Sequence, residues 1–159
     1  MFSADLVERI LDVAPVARLA QKDLGGGPQA LPFVFARVEH CLWSPIDGKP
    51  KKRASLSRLE WIAAEPEVLV LVDHYEDDWT QLWWLKLSGH ATVVGEREPG
   101  WRAAVSGLAA KYPQYAETPM FAGVPTMVRI DIAHWKSWAS SGEGALRRRY
   151  LPGSPDVAG

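Results

Sequence analysis

Only Glu39 and His40 separate two runs with strand character, residues 31–38 and 41–44. A parallel pair needs a crossover of a dozen or more residues, so these two runs are antiparallel neighbours. That one short connection disfavours a doubly wound parallel sheet and points to hairpins. In 31–38, Phe33 and Phe35 alternate with Val34, the period of a strand. Pro32 lacks an N–H to donate and puts the run at a sheet edge or a bulge.

The remaining patterning extends the same picture. Leu6, Val7, Ile10, Leu11 and Ala14 recur at helical spacing. They predict a helix over about 3–14, with Ser3 as N-cap and Pro15 as stop. Residues 16–21 read as a strand, and Gly25-Gly26-Gly27-Pro28 as a turn. Residues 56–64 read as a second helix capped by Ser55. The run 68–72 is almost wholly apolar and predicts a strand covered on both faces. Residues 82–94 form a long strand in which Gly89 marks a bulge. Residues 101–112 read as a surface helix, 113–125 as a loop and 127–132 as the last strand. From Gly142 on, the polar, arginine-containing end reads as a loosely ordered tail, 142–159. Six strands with few helices give a mainly β protein, a small antiparallel barrel with peripheral helices. The 159 residues suit a single domain with its barrel over about 16–138.

Composition excludes several classes. The net charge is -1, which gives no general electrostatic claim on nucleic acid. One cysteine, Cys41, leaves no internal disulfide and no cysteine-rich zinc site. No apolar run nears the ~20 residues of a membrane helix. Asp5, Glu8 and Asp12 stand where a secretory signal would be basic and then apolar, so a cytoplasmic protein is expected. The 8 tryptophans are many for this length and favour an interface or a planar ligand.

The stretch with most chemical content joins the 41–44 strand to the second helix. It carries Lys49, Lys51, Lys52 and Arg53, with Arg58 on the helix. Backbone N–H groups, the positive end of a helix dipole and lysine ammonium groups together suit an anion. Most basic runs are solvated surface, and composition alone favours that reading here. Asp73, His74, Glu76, Asp77 and Asp78 match no common metal spacing. No nucleophile elbow, Walker loop or dinucleotide fingerprint occurs. Cys41 lies in an apolar strand, as buried structural thiols do. Trp83 and Trp84 face opposite sides of one strand, one toward the core and the other toward a pocket or an interface.

Several segments carry a family resemblance. These are Ala17-Arg18-Leu19-Ala20, Asp47-Gly48-Lys49-Pro50-Lys51, the motif that begins Val72-Asp73-His74-Tyr75 and ends Leu82-Trp83-Trp84, and Lys111-Tyr112-Pro113-Gln114-Tyr115. Over about 16–138 the chain resembles the pyridoxamine 5'-phosphate oxidase-like split barrels, and among them the flavin/deazaflavin oxidoreductases grouped as F420-dependent enzymes. The resemblance implies an FMN-binding split-barrel fold and a homodimer with two cofactor sites at its interface. It implies F420, or alternatively FMN, as cofactor, with a small organic molecule as hydride partner. A non-catalytic flavin- or haem-binding protein of the same fold is the alternative from another class. Carried over by motif, the cofactor-binding residues are Ser44, Lys49, Lys51, Lys52 and Arg58, with Trp84 as a wall. No protein nucleophile is implied. The pattern departs at Glu60-Trp61, where relatives commonly carry Arg-Asn.

Overall fold

The computed structural model describes residues 1–46, 52–121 and 123–154, and of 52–56 the backbone only. In chain order the elements are α1 (Ala4–Val13), β1 (Ala17–Lys22), β2 (Pro28–Phe33), β3 (Ala36–Val38) and β4 (Cys41–Pro45). Then come α2 (Lys52–Ala64), β5 (Glu67–His74), β6 (Trp83–Val94), α3 (Trp101–Lys111), β7 (Met127–Ala139) and α4 (Gly142–Tyr150). Seven strands form one sheet in the order β2-β1-β5-β6-β7-β4-β3. Every neighbouring pair is antiparallel. The fold class is mainly β with peripheral helices, as expected.

The seventh strand comes from the run 31–38, which is two strands rather than one. It breaks at Val34 and Phe35. The phenol of Tyr112 accepts a hydrogen bond from the Phe35 N–H at 3.1 Å. The same oxygen lies 3.0 Å from the Pro15 carbonyl and 3.1 Å from that of Phe35. A side chain 77 residues away thus meets the backbone groups that the break frees. On one side of the break β2 pairs with β1; on the other β3 pairs with β4. β2 is an edge strand, which accommodates both Pro28 and Pro32.

Two apolar clusters result. The larger packs α1 (Leu6, Val7, Ile10, Leu11) against Leu19, Val70, Leu85, Leu87 and Ile130. Each such side chain contributes about 1.5–3 kcal/mol by leaving water. The smaller lies under α3 and joins Trp43, Trp101, Leu108 and Met127.

Further expectations change. β5 is covered on one face only: Val68, Val70 and Val72 are buried, whereas Leu69 remains 37% exposed. α2 begins at Lys52, so Ser55 lies inside it and is not its cap. β7 runs seven residues past Ile132, to Ala139. Residues 142–150, expected in a loose tail, form α4. Arg147 of α4 is buried against α1 and hydrogen-bonds both oxygens of Asp5. Ser3 holds the N-cap position of α1 as expected, but its hydroxyl donates to Glu143 of α4 and makes no capping hydrogen bond.

Gly89 does mark a bulge. Ser88 pairs with His134 and Gly89 with Ile132, which leaves Ala133 as the extra residue on β7. A Cβ on Gly89 would sit 2.7 Å from the Asp131 carbonyl oxygen and 2.7 Å from Ile130 Cγ2.

Candidate functional site

Ser44 stands near the end of β4, buried, opposite Val128 of β7. It shares the face of Leu42, which lies in the larger core. The Ile46 N–H donates to the Thr126 carbonyl at 3.0 Å and carries the β4–β7 pairing one residue further. Lys49 and Lys51 fall in residues 47–51, outside the described residues. Lys52 opens α2, and its side chain is likewise outside the description. Arg58 is half-buried on α2, and Glu60 is exposed. The basic segment therefore joins a ladder-held strand directly to a helix start. Of the resemblance-based set, Ser44, the 47–51 segment and α2 are consecutive in the chain.

Trp84 lies elsewhere. Trp83 is buried in the larger core, so Trp84 faces outward, away from the face of Ser44. Along β7, Ser44 registers through Val128 with Val93 of β6, nine residues on from Trp84. Nine residues of strand span on the order of 30 Å. Within one chain, Trp84 and Ser44 do not converge.

The outward face around Trp84 carries residues that sequence patterning did not single out. Trp84 is directly opposite Trp138, and Lys86 directly opposite Lys136. Lys86 Nζ sits 4.4 Å from the centre of the Trp84 ring, within cation–π range. Arg18 Nη1 bonds Asp73 Oδ1 at 2.8 Å on the same face. Further along, at the bulge, a recess of about 560 Å³ is bordered by Lys22, Leu69, Ser88, His90 and His134. Only the pairing register reveals this grouping. Residues 136 and 138 lie beyond the run that alternates cleanly, so no sequence pattern announced them.

The other candidates resolve simply. No group of three or more His, Cys, Asp or Glu residues suited to a metal occurs among the described residues. Asp73 is taken by Arg18, and His74 Nε2 lies 3.0 Å from Glu76 Oε2. Asp78 caps its own turn through the Thr80 N–H at 3.0 Å and hydroxyl at 2.7 Å. The Cys41 thiol donates to Asp131 Oδ1 at 3.1 Å. Burial, and then the Asp131 carboxylate, push it up to about 11, so it is a neutral thiol at ordinary pH. Asp131 is itself held by Arg129 at 3.0 and 3.2 Å. Arg147, expected in the loose tail, is committed to Asp5.

No protein-family model matches the chain, and no curated protein matches it. Solved structures do. A FAD-binding protein from Mesorhizobium loti is similar over 86% of this chain and 94% of its own, at 22% identity and a TM-score of 0.62. The haem storage protein HutZ from Vibrio cholerae is similar over 87% and 95%, at 12% identity and a TM-score of 0.65. A Listeria innocua protein named for pyridoxamine 5'-phosphate oxidase is similar over 84% and 95%, at 17% identity and a TM-score of 0.58. The fold is the split barrel of that oxidase type. At these identities the likeness establishes the split barrel and its topology. Among the described residues no helix is long and apolar enough to cross a membrane.

Proposed function

We propose that this split barrel is an oxidoreductase that binds a flavin-type cofactor, F420 in preference to FMN, and exchanges hydride with a small organic molecule. The observation that carries the reading is the junction of β4, the basic segment 47–51 and the start of α2. A helix start presents unpaired N–H groups and a partial positive charge, and lysines beside it add full charges. That donor set fits a phosphate. Lys49, Lys51 and Lys52 would neutralise it from the segment and Arg58 from α2, with Ser44 placing the end of β4. Glu60 is exposed on α2, so its carboxylate has water as an alternative to the anion. The bound cofactor supplies the hydride chemistry. The chain's own part is to hold the phosphate, orient the ring and exclude water.

The preference for F420 rests on charge. Its phosphodiester and glutamate tail make a longer anion than the phosphate of FMN, and a spread of cations matches a long anion. A homodimer belongs to the same reading. Trp84 and Ser44 sit on opposite faces and nine residues apart in register, so both border one ring only if a second copy brings its Trp84. The outward face offers Leu69 at 37% and Trp138 at 47% exposure for such a contact.

Titration of the purified protein with F420 and with FMN, at low and moderate salt, tests the reading. F420 should bind more tightly, and its advantage should shrink as salt screens exposed charges within about 8 Å. Joint Lys49→Glu and Lys51→Glu substitution should weaken binding on the order of a hundredfold or more without unfolding the barrel. FMN binding at least as tightly at both salt levels would replace F420 with FMN. The likeness to HutZ favours a second reading, a haem-binding protein without turnover. Tight haem uptake seen as a Soret band, with neither flavin bound, would select it.

A further inference from the structure

Gln21 is the last inward-facing residue of β1. It continues the buried series of Ala17 and Leu19 and is only 4% exposed. Yet neither its side-chain oxygen nor its side-chain nitrogen has a hydrogen-bond partner among the described residues. A buried amide left unpaired carries the full desolvation penalty of both groups. Gln29, directly opposite on β2, donates its own amide to Asp23 at 2.9 Å. Asp23 also accepts from the Gly25 and Gly27 N–H groups at 2.9 and 2.8 Å. The polar groups of the hairpin thus serve one another and leave Gln21 out.

Gln21 borders the recess of about 560 Å³ at the bulge. That recess passes round the strand ends. Gln21 and Val68 border it from the inward series, Ala20 and Leu69 from the outward one. A second copy on the outward face would cover Leu69 without supplying a partner for an inward amide. Trp84 lies on the order of 13 Å along β6 from Ser88, which borders the recess. The lining selects a ligand. Ala20, Val68, Leu69 and Ala133 are apolar and suit a ring. Glu65 and Glu67 outnumber Lys22, which disfavours an anion. A glutamine amide presents an acceptor beside a donor, so its full complement is a lactam edge, an N–H beside a C=O. A carboxylate would leave Oε1 unpaired, and a guanidinium would leave Nε2 unpaired.

We propose that the recess binds a neutral lactam heterocycle, whose N–H donates to Gln21 Oε1 and whose carbonyl accepts from Gln21 Nε2. Both amide atoms are shut off from water, so the Gln21 side chain swings toward the recess to meet the ring, a change its rotatable bonds allow. The site needs neither the basic segment nor Trp84, and so stands apart from the functional reading above.

Two related probes test it. 2-Quinolone carries the lactam edge; 1-methyl-2-quinolone keeps the ring and the carbonyl but has no N–H. The parent should bind, read by calorimetry, and the methylated ring should bind at least about tenfold more weakly. Gln21→Met should abolish that preference. The same substitution should leave the unfolding midpoint of the ligand-free protein level or raise it, because an unpaired buried amide is gone. 2-Quinolone should raise the midpoint of the unsubstituted protein and leave that of the variant. Its affinity should persist with F420 or FMN at saturation, and in the joint Lys49→Glu and Lys51→Glu variant. Equal binding of the two probes, binding of neither, or a preference that survives Gln21→Met would overturn the proposal. So would competition with the cofactor. A lower midpoint for ligand-free Gln21→Met would overturn it too, because the amide would then be paired already. Failure of F420 and FMN to bind, with the quinolone preference intact, would remove the cofactor reading alone.

Discussion

The Arg147 guanidinium grips the Asp5 carboxylate through two hydrogen bonds, of 3.0 and 2.9 Å, and so ties α4 to the first turn of α1. The arginine is buried and the aspartate half-exposed. The Arg147 hydrogen bonds, and then that from Ser3, hold the Asp5 carboxyl down at about 2. Its stabilising effect is complete above the ordinary carboxylate value and is lost as pH falls through about 2. Arg147→Met should cost about 1–3 kcal/mol. That corresponds to on the order of 5 °C in Tm for a chain of this length. The substitution should also flatten the acid limb of a stability–pH curve between pH 4 and 2, in the region of the shift. Calorimetric scans of both proteins across that range check it; an unchanged acid limb would refute the linkage.

Lys111 predicts a second rise of stability with pH, on the alkaline side. Its ammonium donates to the Leu11 carbonyl at 2.9 Å and lies 3.8 Å from the Phe35 ring centre. Burial nonetheless pulls it down to about 8, against a partial pull upward from Asp12. Because the unfolded chain holds this proton more tightly, stability rises with pH from about 8 toward 10.5. Cys41, pushed up to about 11, works in the other direction once pH exceeds 9. A rise in the denaturant midpoint between pH 8 and 9 is therefore expected, flattening above 9. Lys111→Met should remove the rise, and Cys41→Ala should extend it.

The neutral thiol gives a chemical test. Iodoacetamide at pH 8 should leave Cys41 unmodified in the folded protein over a period that labels the urea-unfolded chain fully. Rapid labelling of the native state would mean that the Asp131 contact does not hold the proton on sulfur.

Gly89→Ala forces a Cβ into two contacts of 2.7 Å, one of them to backbone oxygen. Backbone cannot rotate aside as a side-chain tip does. The variant should lose about 1–3 kcal/mol in equilibrium unfolding. Retention of full stability would show that the bulge relaxes freely.

The class of fold was legible in local chemistry. A two-residue connection between apolar runs compels antiparallel pairing, helical spacing compels α1, and proline marks the β2 edge. Gly89 betrayed its bulge because an unbranched backbone amid strand residues has few other uses. These signals act over a few residues, where covalent geometry and side-chain period decide the outcome. The tertiary structure decided the rest. The break at Phe35 is set by Tyr112, 77 residues away. α4 exists as a docked helix because Arg147 finds Asp5 at the other end of the chain. The separation of Trp84 from Ser44, and the pairing of Lys86 with Lys136 and Trp84 with Trp138, follow from strand register. Register is a property of which strands meet, set by the total burial of both faces, and no single stretch of sequence contains it.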